Sequence, residues 1–124
     1  MREIQIDVKN EYVLGDGCVI GAAGSGLDTA LSVSFGSEWD GFSKEIEWHD
    51  ARGLEPKIVE ITDGMLNADG RYAVPIPYEA KAYAGIAACA FRGTKTEGGV
   101  EITVMTGAAS FRVLESLWED VEEE

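Results

Sequence analysis

Cysteine, histidine and proline are scarce in this 124-residue chain, and basic residues are outnumbered more than two to one by acids. Cys18 and Cys89 are far apart in sequence, and the lone histidine, His49, completes no zinc-ligand spacing with them. A nucleophilic site can be drawn from either cysteine with His49 and Asp50. Cys89, however, lies in the apolar segment 86–91, where burial raises a thiol pKa and leaves it inert. The opening MREIQIDVKN alternates polar and apolar residues and has no signal-peptide core, so a reducing compartment and free thiols are expected rather than a disulfide. No stretch approaches the roughly 18 apolar residues of a membrane span. The 10 Lys and Arg against 23 Asp and Glu leave a net charge of −13, a field that repels phosphates and anionic lipid heads. Nucleic acid and membrane are therefore not expected partners. The glycine-rich run 21–26 lacks the Lys and Ser/Thr of a phosphate loop, and 15–21 has one residue too many for a dinucleotide fingerprint, so no cofactor is expected.

What the chain does have is period-two alternation. Ile4, Ile6 and Val8 alternate with Glu3, Gln5 and Asp7, as in a strand half buried against a core. The pattern returns at Leu31/Val33/Phe35, at Ile46/Trp48 between Glu45 and Glu47, at Val59/Ile61, at Val100/Ile102/Val104 and at Phe111/Val113. Gly- and Asp-rich turn signals separate these runs at the spacing of sheet proteins. Segment 86–91 is apolar on both faces and small, which predicts a central strand. Before it, Pro75 and Pro77 interrupt strand pairing and the helix formers of 78–84 follow. These features predict an all-β fold: a two-sheet antiparallel β-sandwich of immunoglobulin-like size, with one short helical turn near residues 77–84. A hydrophobic fraction of 45% is ample for one core, and the length suits one domain, taken as residues 1–113. Residues 114–124 carry six acids and no base, which leaves −7 of the −13 for the rest. Leu114, Leu117, Trp118 and Val121 have helical spacing there, and Ser116 with Glu119 has that of a capping box, yet so short a segment is marginal as a helix. An acidic tail, frayed or briefly helical, is expected.

Oxygen-rich positions offer two further candidates. Glu45 and Glu47 share the polar face of one strand, the placement of a paired-carboxylate site, although nothing in the sequence raises either pKa. Asp63-Gly64 and Asn67-Ala68-Asp69-Gly70 put ligand oxygens near turns without forming a twelve-residue calcium loop. Both patterns also suit an exposed sheet face and ordinary Asx turns.

The block 39–48, WDGFSKEIEW, stands apart. Asp40-Gly41 makes a tight turn, Lys44 starts the next strand, and Trp39 can fold under the turn to plug the end of the sandwich. With this block the chain resembles the small N-terminal β-sandwich of baseplate upper proteins and related short tail proteins of phages and prophages of Gram-positive bacteria. The matching elements are Leu31 to Phe35, Trp39-Asp-Gly41-Phe-Ser-Lys44 with Trp48 where Phe is usual, Val74-Pro75, residues 86–91 closing on Gly93, and the Thr-rich strand 101–106. The second proline, Pro77, and the acidic end depart from the pattern. The resemblance implies a non-enzymatic structural or assembly protein. It would reside in the bacterial cytoplasm during assembly and in the virion tail thereafter, with other tail or baseplate proteins, or copies of itself, as partners. It marks Trp39, Gly41, Lys44, Trp48, Pro75 and Gly93 as structural motif positions. Phe42, Tyr78, Tyr83 and Trp118 are candidate interface aromatics. The alternative is a carbohydrate-binding module contacting the host cell wall, with sugars stacked on exposed Trp or Tyr rings. Trp39 and Trp48 fall at positions where burial is expected.

Overall fold

In the computed structural model, which describes residues 2–14, 19–23, 29–53 and 56–115, the alternating runs form ten strands. They are β1 (Arg2–Lys9), β2 (Tyr12–Leu14), β3 (Val19–Ala22), β4 (Thr29–Phe35), β5 (Ser43–His49), β6 (Lys57–Ile61), β7 (Tyr72–Pro75), β8 (Gly85–Glu97), β9 (Val100–Met105) and β10 (Ala109–Leu114). A four-stranded sheet runs β2-β1-β4-β7, and a six-stranded one runs β3-β10-β8-β5-β6, with β9 beside β8. The apolar halves of the alternation close on each other. Ile6, Val8, Leu31, Val33 and Val74 of the smaller sheet and Ile46, Trp48, Phe91 and Phe111 of the larger are fully or almost fully buried. Each sheet thereby removes one face from water, which is the main force holding the two layers together.

The sheets are mixed rather than antiparallel. β1 pairs in parallel with β4, and β10 in parallel with β3. Alternation reports which face of a strand is apolar and carries nothing about the direction of its neighbour. Here β2 makes a hairpin with β1, β3 then crosses to the other sheet, and β4 returns alongside β1 in the same sense, a connection long enough for parallel pairing.

β8 is central, as its composition predicts, with β5 on one side and β10 and β9 in succession on the other. Its small outward residues are half-buried at Ala88 and Ala90, while Ile86 is exposed. Between β9 and β10 the ladder is kept by a side chain. The Thr106 amide donates to the Phe91 carbonyl and the Phe91 amide donates to Thr106 Oγ1, both at 3.0 Å. Gly107 then donates to the Glu11 carbonyl at 3.1 Å, joining this strand break to the β1–β2 turn of the other sheet. β9 departs from the expected half-buried strand, since Val100 is 62% exposed and Ile102 is partly exposed. Beyond Thr94 the β8–β9 hairpin has outrun β5, so its tip has no third strand beside it among the described residues.

The expected helical turn is a 3-10 turn at Tyr78–Lys81, started after Pro77, and two more that the sequence pattern does not predict lie at Ser37–Trp39 and Asp63–Met65. The smaller sheet is clamped from outside by Arg71. Its Nε donates to Ser32 Oγ at 2.8 Å, Nη1 to Asp7 at 3.2 Å, and Nη2 to the carbonyls of Ser32 and Ile6 at 2.7 and 3.1 Å. Charge-assisted bonds of this kind tie β1, β4 and the start of β7 together. Strand β10 ends at Leu114. The rest of the acidic tail, 116–124, lies outside the described residues, as does Cys18.

Candidate interaction surface

Four of the motif positions meet at one end of the sandwich. Trp39 is fully buried, and its indole Nε1 donates to the Asn10 carbonyl at 2.8 Å, so both the ring and its polar atom are accommodated. The ring lies 5.2 Å from that of Phe35 and 6.3 Å from that of Phe42. Gly93 on β8 presses against it: a Cβ there would stand 2.9 Å from indole Cζ3 and 3.1 Å from Phe42 Cβ. Gly41 turns the chain with φ +82°, a conformation costly for other residues. Lys44 closes the block by donating to the Phe42 carbonyl at 3.0 Å, with its ammonium over the rings of Phe35 and Tyr72. Burial lowers the Lys44 pKa, an effect opposed by Asp40 and Asp63. The block thus acts as a plug, as its sequence predicts.

The remaining motif positions are elsewhere. Trp48 is buried against Phe111, and its Nε1 has no acceptor among the described residues. Pro75 is exposed at the end of β7, an edge strand, where a missing N–H is harmless. The interface aromatics are not brought together. Phe42 is half-buried beneath Lys95, Tyr83 is half-buried beneath the Arg52 guanidinium, and Tyr78 is exposed at the 3-10 turn. Trp118 lies outside the described residues. With Trp39 and Trp48 both buried, neither provides a platform for a sugar.

The chemical candidates resolve into structural roles. Cys89 is buried and free, with its thiol pushed up to about 12 by burial. His49 is exposed at the end of β5 and bonds Glu47 at 2.8 Å. Asn67 Oδ1 accepts from the amides of Asp69 and Arg71 at 2.9 and 3.1 Å, an Asx turn complete without an ion. No group of three or more metal-ligating residues occurs among the described residues.

The surface that does assemble is the outer face of the larger sheet. Because Ile46 and Trp48 point inward, Glu45 and Glu47 point out, and the pairing registers put Glu60, Glu45, Arg92 and Met105 in one row across four strands. The next row is Ile58, Glu47 and Ala90. Arg92 Nε donates to Glu45 at 2.7 Å, and Nη2 bonds the same oxygen. A depression of about 90 Å³ opens between these rows, floored by Ala90 and flanked by Ile58 and Met105. Sequence alternation marks Glu45 and Glu47 as neighbours on one face. It gives no sign of Ile58, Arg92 or Met105, which reach the same spot from three other strands.

No family model matches the chain, and no curated protein matches it. Among solved structures it is similar to the N-terminal domain of phage TP901-1 ORF48, with 14% identical residues and a TM-score of 0.61, over 94% of this chain and 100% of that one. At that level of identity the likeness establishes a shared fold.

Proposed function

We propose that this chain is a phage or prophage structural or assembly protein, associated with the tail or baseplate, that works through protein–protein contacts and not by catalysis. The carrying observation is that its fold matches a phage domain end to end, 94% of one chain against all of the other. The motif order read from the sequence supports the same assignment independently of the coordinates. Fold alone does not fix a role. The local chemistry agrees with this reading: the Cys89 thiol is buried, with its pKa pushed up to about 12, and Trp39 and Trp48 are in the core. In this reading the partners are other tail or baseplate proteins, with assembly in the bacterial cytoplasm and residence in the virion tail. Mixing the purified chain with tail particles of the phage or prophage that encodes it, followed by gradient sedimentation, tests the role. Co-sedimentation at a fixed ratio is expected. A chain that stays monomeric and never travels with the particles refutes it.

A further inference from the structure

The outer face of the larger sheet carries charges in an order that sheet stability does not favour. Glu45 and Glu60 stand directly opposite each other across the β5–β6 pair. Like charges so placed weaken a sheet. Arg92 engages Glu45, while Glu60 has no ion-pair partner among the described residues. Glu47 adds a third carboxylate in the next row, bonded to His49. Glu45 and Glu47, with Arg92 beside them, border a hollow that has the Ala90 methyl below and Ile58 and Met105, 51% and 60% exposed, on either side, while Glu60 stands outside it.

We propose that this hollow is a socket for a lysine or arginine side chain presented by a partner protein. Such side chains combine an aliphatic stem with a cationic head. The stem would lie over Ala90 between Ile58 and Met105, and the head would share the carboxylates of Glu45 and Glu47 with Arg92 and His49. Charge selects this occupant. Outside the acidic tail the chain still carries −7, which attracts and steers a basic partner, and a second copy would bring its own Glu45 and Glu47 against these. The inference rests on the proposed structural role for one point, that the partner is a virion protein.

Two experiments separate the socket from that role. In the first, the full ¹⁵N-labelled chain is titrated with N-acetyl-Val-Lys-Val-amide and with its norleucine counterpart. The lysine peptide should shift the amides of Glu47, Ala90, Arg92 and Met105, weakening as salt rises. The norleucine peptide, or the lysine peptide on Glu47→Gln, should bind about three- to five-fold more weakly, the loss of one partly exposed ion pair. No shift, equal response to both peptides, or shifts on another face overturn the socket. Concentration-dependent shifts at these amides without peptide would assign the face to a second copy and also overturn it. In the second, Ala90→Arg fills the hollow with a cation while leaving the core untouched, so its melting temperature should hold. This variant should lose co-sedimentation with tail particles. Undiminished incorporation of Ala90→Arg beside a wild type that incorporates overturns the socket as the docking point. Failure of wild type itself to incorporate sinks the structural role, and the peptide titration then decides the socket alone.

Discussion

Replacing Gly93 by Ala tests the plug at its tightest point. The new Cβ would sit 2.9 Å from Trp39 Cζ3 and 3.1 Å from Phe42 Cβ. Carbon atoms pack at roughly 3.5–4.0 Å, so the indole or the β8 backbone must give by about 0.6–1 Å. Neither moves freely. β8 is paired on both sides at this position, to Lys44 and to Val104, and the indole is held by its 2.8 Å bond to Asn10 and by the Phe35 ring. Overpacking of this kind costs about 1–3 kcal/mol, and losing the buried indole bond would add roughly another 1–3. Against this, alanine restricts the unfolded chain and returns about 0.4–1 kcal/mol. The net expectation is a loss of about 2 kcal/mol, or roughly 5–10 °C in melting temperature for a domain of this size. Urea unfolding followed by tryptophan fluorescence reads it as a lower midpoint at unchanged slope. Gly64→Ala is the control, because its Cβ would meet only Thr62 Oγ1 at an ordinary 3.7 Å, and it should be neutral or slightly stabilising. In a Trp39→Leu background the Gly93→Ala penalty should shrink, since the indole carbons it strikes are gone and only the Phe42 Cβ contact remains. An unchanged midpoint for Gly93→Ala, or a penalty that persists in full without the indole, would refute the packing argument.

The two buried tryptophans should answer differently to phenylalanine. Both changes open space in the core, but Trp39→Phe also breaks a satisfied bond, whereas Trp48→Phe removes an N–H with no acceptor among the described residues, so Trp48→Phe should cost about 1–2 kcal/mol less than Trp39→Phe by denaturant titration. Arg71→Met should cost about 2–4 kcal/mol by the same measurement, because two strand carbonyls, Ser32 Oγ and Asp7 lose a shared donor. The Ser34 hydroxyl, aided by Arg71 and against partial desolvation, holds the Asp7 pKa below its ordinary 3.8. Its contribution is thus present above that value and lost as pH falls through the lower folded one. An Asp7→Asn variant should be less stable at neutral pH and show a shallower loss on acidification below 3.8, and parallel acid curves would contradict this. In a Cys18→Ser background, Cys89 should resist thiol reagents at pH 8 until urea unfolds the chain. Ready labelling of the folded protein would place the thiol outside the core.

Much of the fold was legible because faces repeat locally. The inward positions of β1, β5 and β10 follow from their own alternation, and the 3-10 turn at Tyr78–Lys81 follows from Pro77 and the helix formers after it. The plug was legible too, since Asp40-Gly41 brings Trp39 back under a turn within a few residues. The Arg71 clamp was not, because its acceptors are 39 and 65 residues away and no local pattern marks a donor for distant carbonyls.

Alternation and turn chemistry by themselves determined that this chain is all-β and which faces of β1, β5 and β10 enter the core. Whether β4 runs with or against β1, that β9 projects past the support of β5, and that Ile58, Glu47, Ala90 and Met105 come to surround one hollow were decided in three dimensions. The reason is physical. The face a side chain takes depends on its own strand's pleat, a property of adjacent residues, while strand direction and cross-strand neighbours depend on how distant segments jointly cover the same apolar surface.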